Sequence, residues 1–242
     1  VTGGSRGIGR AIAAALAARG AAVAIAYRER EREAAGVVDA LTAGGGRVWA
    51  GQCDVSDEES VQAFFAAAVE ALGPVDILVN NTGMTLRKSL VDLEPGEWRH
   101  MLDVNLTSAF LVARAVAPGM IERGGGKVVN VCSVLSELAR PSTGAYSATK
   151  GGLKMLTRSM CAEWARHGIQ ANGIAPGYFR TDLNEALQAD AEFDAWLRAR
   201  VPAGRWAEPS ELAGAVVFLA SPASDFVNGQ ILVVDGGLSA VI

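Results

Sequence analysis

The stretch Thr2-Gly3-Gly4-Ser5-Arg6-Gly7-Ile8-Gly9 restricts the possible folds more than any other part of the chain. It runs into Arg10-Ala11-Ile12-Ala13-Ala14-Ala15-Leu16-Ala17, an alanine-rich helix ended by Gly20, and then into the strand-like run Ala22-Val23-Ala24-Ile25-Ala26. Glycines let a backbone turn sharply and approach a pyrophosphate, whose charge then meets the free N–H groups at a helix N-terminus. The same glycines fit an ordinary strand-to-helix turn, but the strand that follows supplies the βαβ context a dinucleotide site requires. Such a turn also needs a strand feeding it, so residues of a first strand ahead of Val1 are expected.

The alternation continues. A polar helix over 30–43 is broken by Gly44-Gly45-Gly46, and 47–51 reads as a strand followed by Asp54-Val55-Ser56. Ser56 and Glu59 have capping-box spacing, opening a helix to Leu72. A strand over 74–79 is closed by Asn80-Asn81-Thr82-Gly83, and one long helix over 94–122 carries Asn105 among apolar residues. A short buried strand, 128–132, delivers Ser133 to its end. A helix carrying Tyr146 runs to about 167, then a strand over 169–175 stops at Pro176-Gly177, and helix 208–220 and strand 230–235 finish the chain. This rhythm predicts an α/β fold, a doubly wound parallel sheet with helices on both faces, as a single domain over 1–242. Ligands then sit at the carboxyl ends of the strands, where the glycine turn, Asn80-Asn81 and Ser133 converge. Over 178–206 the rhythm lapses; Phe179, Phe193, Trp196 and Trp206 fit a lid over a small-molecule site, and core packing explains each of them equally well.

Several classes of function are excluded. A net charge of −4 with acids and bases mixed leaves no basic stripe for nucleic acid. No apolar run approaches ~20 residues and no signal peptide is visible, so a membrane partner is not expected. Cys53, Cys132 and Cys161 are scattered and odd in number, which suits buried thiols of a reducing compartment and a cytoplasmic location. The two histidines, His100 and His167, have no ligand partners at useful spacing, so no metal is expected.

Tyr146 and Lys150 stand one helical turn apart. A phenol titrates near ~10 in water, and an ammonium beside it favours the phenolate by charge. With the Ser133 hydroxyl they form a set able to polarise a carbonyl and pass it a proton. Tyr-x3-Lys alone is common, and its company carries the reading. Asn105 is either a core amide satisfied by backbone or part of this set. At the end of the second strand, Tyr27 and Arg28, with Arg6 from the glycine loop, suit a ribose 2′-phosphate and favour NADP(H) over NAD(H). Glu29 has the spacing of an NAD-type acid, but reads as the first turn of the next helix.

Thr2-Gly3-(x3)-Gly7-x-Gly9, Asn80-Asn81-x-Gly83, Asn105, Ser133, Tyr146-(x3)-Lys150 and Pro176-Gly177 together resemble the short-chain dehydrogenase/reductase family over essentially the whole chain. Thr82 departs from the family's usual alanine. The resemblance implies a Rossmann-like domain, a nicotinamide cofactor and a homotetramer. It implies that Tyr146 is the general acid/base, that Lys150 lowers its pKa and binds the nicotinamide ribose, that Ser133 orients the substrate oxygen, and that Asn105 holds a water in a proton relay. It further implies a cofactor lined by Gly3, Ser5, Arg6, Gly7, Ile8, Gly9, Tyr27, Arg28, Asp54, Val55, Asn81, Gly83, Tyr146, Lys150, Pro176, Gly177 and Thr181. The stretches Cys132–Pro141, Pro176–Phe179, Pro202–Trp206 and Asp225–Gln230 are similar to the family's sugar-acid dehydrogenases, and imply a substrate such as gluconate and its 5-keto form. There Glu137 and Arg140 contact hydroxyls or a carboxylate, or form loop salt bridges. Two alternatives are a 3-oxoacyl thioester on a carrier protein, which should bring a basic docking patch, and a non-catalytic nucleotide sensor on the same scaffold.

Overall fold

A computed structural model describes residues 1–242. Six strands run parallel: β1 Val23–Tyr27, β2 Val48–Gln52, β3 Ile77–Asn80, β4 Gly126–Val131, β5 Ile169–Pro176 and β6 Ile231–Val234. β1 pairs with β2, and β3-β4-β5-β6 lie in that order. Val1 and Thr2 join the two groups, since Thr2 N–H donates to the Val79 carbonyl at 3.0 Å and Ala26 N–H to the Val1 carbonyl at 3.1 Å.

Successive strand residues point to opposite faces, and here both faces are apolar. Ile25, Val79, Val129 and Ile174 pack against Ile12 and Leu16 of α1 (Gly7–Ala17), Val37 of α2 (Glu31–Ala43) and Leu212 and Val216 of α9 (Pro209–Leu219). Their sequence neighbours Ala26, Leu78 and Val128, and Ala171 of β5, pack on the other face. There they meet Phe64 of α3 (Glu58–Leu72), Val112 and Val116 of α5 (Ser108–Arg123) and Met160 of α6 (Gly144–Trp164). Covering both faces is what a parallel sheet requires.

Four local expectations are corrected. Ser56 does not cap α3: its N–H and hydroxyl both go to Asp54, and Asp57 is the cap, accepting from Ser60 N–H at 2.8 Å. Glu29 lies in the bend between β1 and α2 rather than in a helical turn. The single helix expected over 94–122 is α4 (Pro95–Leu102), a π turn at Asp103–Thr107 and α5, with Asn105 in the π turn. The combined run Pro95–Arg123 is long and apolar enough to cross a bilayer by composition, yet half of its apolar window is buried in the fold, as suits a core helix. Finally, Asn80 does not reach the carboxyl-end cleft. Its amide donates to Asn130 at 2.9 Å, and Asn130 donates to Thr157 at 2.8 Å, forming a buried polar chain under α6.

Between β5 and α9 the chain forms two short helices, α7 (Glu185–Gln188) and α8 (Ala191–Arg200). Leu187, Leu197, Val201 and Trp206 make a small core of their own with Val134 and Leu238. The aromatics divide accordingly: Trp206 and Phe179 are buried, whereas Trp196 is 45 % exposed.

Candidate active site

A cleft of about 460 Å³ opens at the carboxyl ends of the strands, and all the sequence-derived cofactor residues line it, as do Ser133, Tyr146 and Lys150. Asn105 stands behind the wall.

At one end is the glycine turn. Gly3 and Gly7 take left-handed backbone conformations (φ +63° and +51°), which cost glycine little. Gly9 is needed for space, because a Cβ there would lie 2.2 Å from the Gly3 carbonyl oxygen. Two side chains pin the turn to the end of β3. The Thr2 hydroxyl accepts from Asn81 and Thr82 N–H at 2.9 and 3.0 Å, and the Asn81 amide donates to the Thr2 and Gly3 carbonyls at 2.9 and 3.2 Å. Asn81 thus acts on the turn. The resulting cradle, closed by the N-terminus of α1, fits a dinucleotide pyrophosphate. Beyond it, Arg6 pairs with Asp182 at 2.7 Å and Arg28 with Glu29 at 2.8 Å. Asp54 turns inward onto Ser56, whose hydroxyl holds its carboxyl below the usual range.

At the other end α6 presents Tyr146 and Lys150 one turn apart. Lys150 is 3 % exposed; its ammonium donates to the Val131 carbonyl at 2.7 Å and sits 5.8 Å from the Tyr146 ring centre. Here the expected electrostatics are corrected. Among the protein's own groups, burial outweighs the nearby charge. It pushes Tyr146 up to about 12, against a hydrogen bond with Ser133 that works the other way, and Lys150 down to about 8. At neutral pH Tyr146 is therefore a protonated phenol, the state a proton donor needs. The Ser133 oxygen accepts from Leu135 N–H at 3.1 Å, and its own O–H is the group that bonds Tyr146.

Asn105 is held on both sides by its neighbours. Its amide donates to the Met84 carbonyl at 2.9 Å and to Thr149 at 3.1 Å, and its oxygen accepts from Met84 N–H at 2.8 Å. The side chain clips the loop after β3 to α6. A π turn at this position is the kind of helical irregularity that gathers at functional sites.

Sequence reasoning missed Arg87. It lines the cleft without an ion-pair partner, and burial together with the neighbouring charge of Arg140 disfavours its charged form. Its neighbour Lys88 is spent on Glu97 at 2.8 Å. Arg140 also lines the cleft and has no acid partner. It donates to the Tyr178 hydroxyl at 3.1 Å and lies over the Phe193 and Trp196 rings at 4.9 and 5.8 Å. Glu137 is outside the cleft, paired with Lys154.

A family profile described as Enoyl-(Acyl carrier protein) reductase matches residues 3–239. Gluconate 5-dehydrogenase of Gluconobacter oxydans (strain 621H) is 48 % identical over 243 residues, 99 % of this chain and 93 % of that one. The 5-keto-D-gluconate 5-reductase of Escherichia coli (strain K12) is 46 % identical over 242 residues, 100 % of this chain and 95 % of its own. A crystal structure of a gluconate 5-dehydrogenase from Burkholderia cenocepacia J2315, in complex with NADP and tartrate, superposes with a TM-score of 0.96 at 51 % identity, over 100 % of this chain and 94 % of that one.

Proposed function

Because the chain belongs to the short-chain dehydrogenase/reductase family, we propose that it is an NADP(H)-dependent oxidoreductase interconverting a secondary alcohol and a ketone on a sugar acid, with gluconate and its 5-keto form as the leading pair. One observation carries the substrate class: two guanidinium groups without acid partners, Arg87 and Arg140, line the same cleft as the hydroxyl, phenol and ammonium set. A polyol carboxylate supplies the missing anion, and its hydroxyls suit the polar wall.

NADP(H) supplies or accepts the hydride. We assign the proton to Tyr146, whose phenol donates to the substrate oxygen as charge develops there. Ser133 turns its O–H to the same oxygen and fixes the carbonyl's orientation. Lys150, charged below about pH 8, stabilises the phenolate that remains, and we assign it the nicotinamide ribose as the family resemblance implies. Asn105 supports the set by holding Met84 against α6. The segment over 178–206 acts as the lid, contributing Tyr178, Phe179, Thr181 and Asn184 to the cleft wall.

Purified protein should oxidise NADPH with 5-keto-gluconate in preference to plain ketones or acetoacetyl thioesters; no turnover with the keto-sugar acid retires this substrate. The thioester alternative has less support, since of Arg140, Arg180 and Arg205 the last two are already paired, with Glu208 and doubly with Glu211. Arg87→Ala is expected to raise KM for a keto-sugar acid by about 10-fold or more, the scale of a lost charged hydrogen bond, and to leave KM for a neutral ketone unchanged. Equal effects on both substrates would remove Arg87 from carboxylate recognition. Reduction should also fall as pH rises through about 8, where Lys150 gives up the charge that stabilises the phenolate; a kcat/KM profile flat across that value contradicts the role given to Lys150.

We further propose a homotetramer. Leu232, Val233 and Phe226 are exposed near the β6 edge, and Phe110 and Met155 are exposed on α5 and α6. Two separate apolar faces are what two of the three dyads of a 222 tetramer would cover. Light scattering should give four times the single-chain mass; a monomer overturns this. The three free thiols fit a reducing compartment, and we place the protein in the cytoplasm.

A further inference from the structure

The longest-range ion pair in the cleft joins Arg6 of the glycine turn to Asp182, 176 residues away in the lid segment. Around it stand three cations, Arg6, Arg28 and Arg30, and three acids, Glu29, Glu33 and Asp182. Arg28 pairs with Glu29, Arg30 with Glu33, and Arg30 also acts on Asp182 through its charge. The cluster is balanced before any anion arrives. The lid also runs close beside the turn, since a Cβ added on Gly7 would come within 3.6 Å of Thr181. Behind Asp182 the lid is tied to itself: Asn184 donates to the Phe179 carbonyl at 3.0 Å and Gln188 to the Thr181 carbonyl at 3.0 Å. Whatever holds Asp182 therefore holds the whole strap from Phe179 to Gln188, which carries one wall of the catalytic end.

We propose that Asp182 is a positioning residue that fastens the lid to the cofactor side of the cleft through Arg6, while its charge works against a 2′-phosphate bound by the same arginine. This rests on reading the cleft as an NADP(H) and sugar-acid site. Arg6 gives one amino group to Asp182 and keeps its other N–H groups for the phosphate. One guanidinium thus serves both the lid and the phosphate, and a carboxylate beside a phosphate costs affinity through like charge. The two roles of Asp182 have opposite signs in binding. Both groups of the pair are about half exposed, so each effect is modest, about two- to five-fold.

The test is Asp182→Asn, which keeps size and hydrogen-bonding capacity. NADPH should bind about two- to five-fold tighter, NADH binding should stay the same, and KM for the keto-sugar acid should rise about two- to five-fold. A general structural lesion worsens all three, so weaker NADPH binding or an unchanged KM overturns the proposal. An independent arm needs neither substrate nor cofactor. Hydrogen exchange of the amides over 181–189 should speed up in Asp182→Asn and in Arg6→Ala, and no further in the double variant. Additive increases, or none, refute the fastening even if the protein proves to act on another substrate. If exchange behaves as stated but NADPH does not bind the native protein, the cofactor reading has failed and the fastening stands.

Discussion

Replacing Tyr146 with Phe is expected to lower turnover by about 10²- to 10⁴-fold, the range that a positioned proton donor contributes, while NADPH still binds. The substitution removes one oxygen and keeps the ring, so the contact with the Lys150 ammonium at 5.8 Å and the Thr149 hydroxyl's bond to the Tyr146 carbonyl at 2.8 Å both persist. In the proposed site the dinucleotide is held mainly at the glycine turn and the strand ends, away from the oxygen that the variant removes. No other group is both placed and acidic enough to substitute for the phenol, since the Ser133 hydroxyl in the same cleft is an alcohol and a weaker acid. The Lys150 ammonium is turned onto the Val131 carbonyl, and Cys132, whose thiol burial pushes up to about 11, is a poor acid. Turnover with a keto-sugar acid and fluorescence titration of NADPH measure the two halves separately. Activity within tenfold of the native enzyme would take the proton away from Tyr146; loss of NADPH binding would show that the phenol acts on the cofactor instead.

The strands and most helices were legible because their signal is periodic. Ile25 and Ala26, or Val79 and Leu78, belong to opposite faces by simple alternation, and both faces are apolar because both are covered. What sequence left hidden is mostly a matter of competition between neighbours. Ser56 and Asp57 are both good caps, and only the fold shows Ser56 already committed to Asp54. Asn80 and Asn81 are adjacent amides, but the pleat sends the first under α6 and the second to the glycine turn. Arg87 and Lys88 are adjacent cations in a loop without period, and Lys88's partner Glu97 lies across the next turn of chain. The Tyr146–Lys150 spacing was readable, but its electrostatics were not. Proximity of charge argued for a lowered phenol, whereas the burial that raises it depends on elements far away in sequence.

Gly9→Ala is expected to damage both the fold and cofactor binding. The added carbon would lie 2.2 Å from the Gly3 carbonyl oxygen, 2.9 Å from its carbon and 2.5 Å from the Asn81 amide nitrogen. No side-chain rotation relieves a clash with backbone. The turn itself would have to move, and Thr2 and Asn81 hold it with four hydrogen bonds to the end of β3. Overpacking of this kind costs about 1–3 kcal/mol of stability, and a displacement of about 1 Å in a positioning element costs about 10²-fold in function. Thermal unfolding should therefore shift down, and NADPH affinity should fall by about two orders of magnitude. Gly36→Ala is the matched control. It lies in α2 with nothing within 4 Å of the added carbon, so helix propensity alone acts and stabilises by about 0.5–1 kcal/mol, with cofactor binding unchanged. If Gly9→Ala binds NADPH as the native protein does, the glycine turn is not what receives the dinucleotide, and the anion site must be sought elsewhere in the cleft.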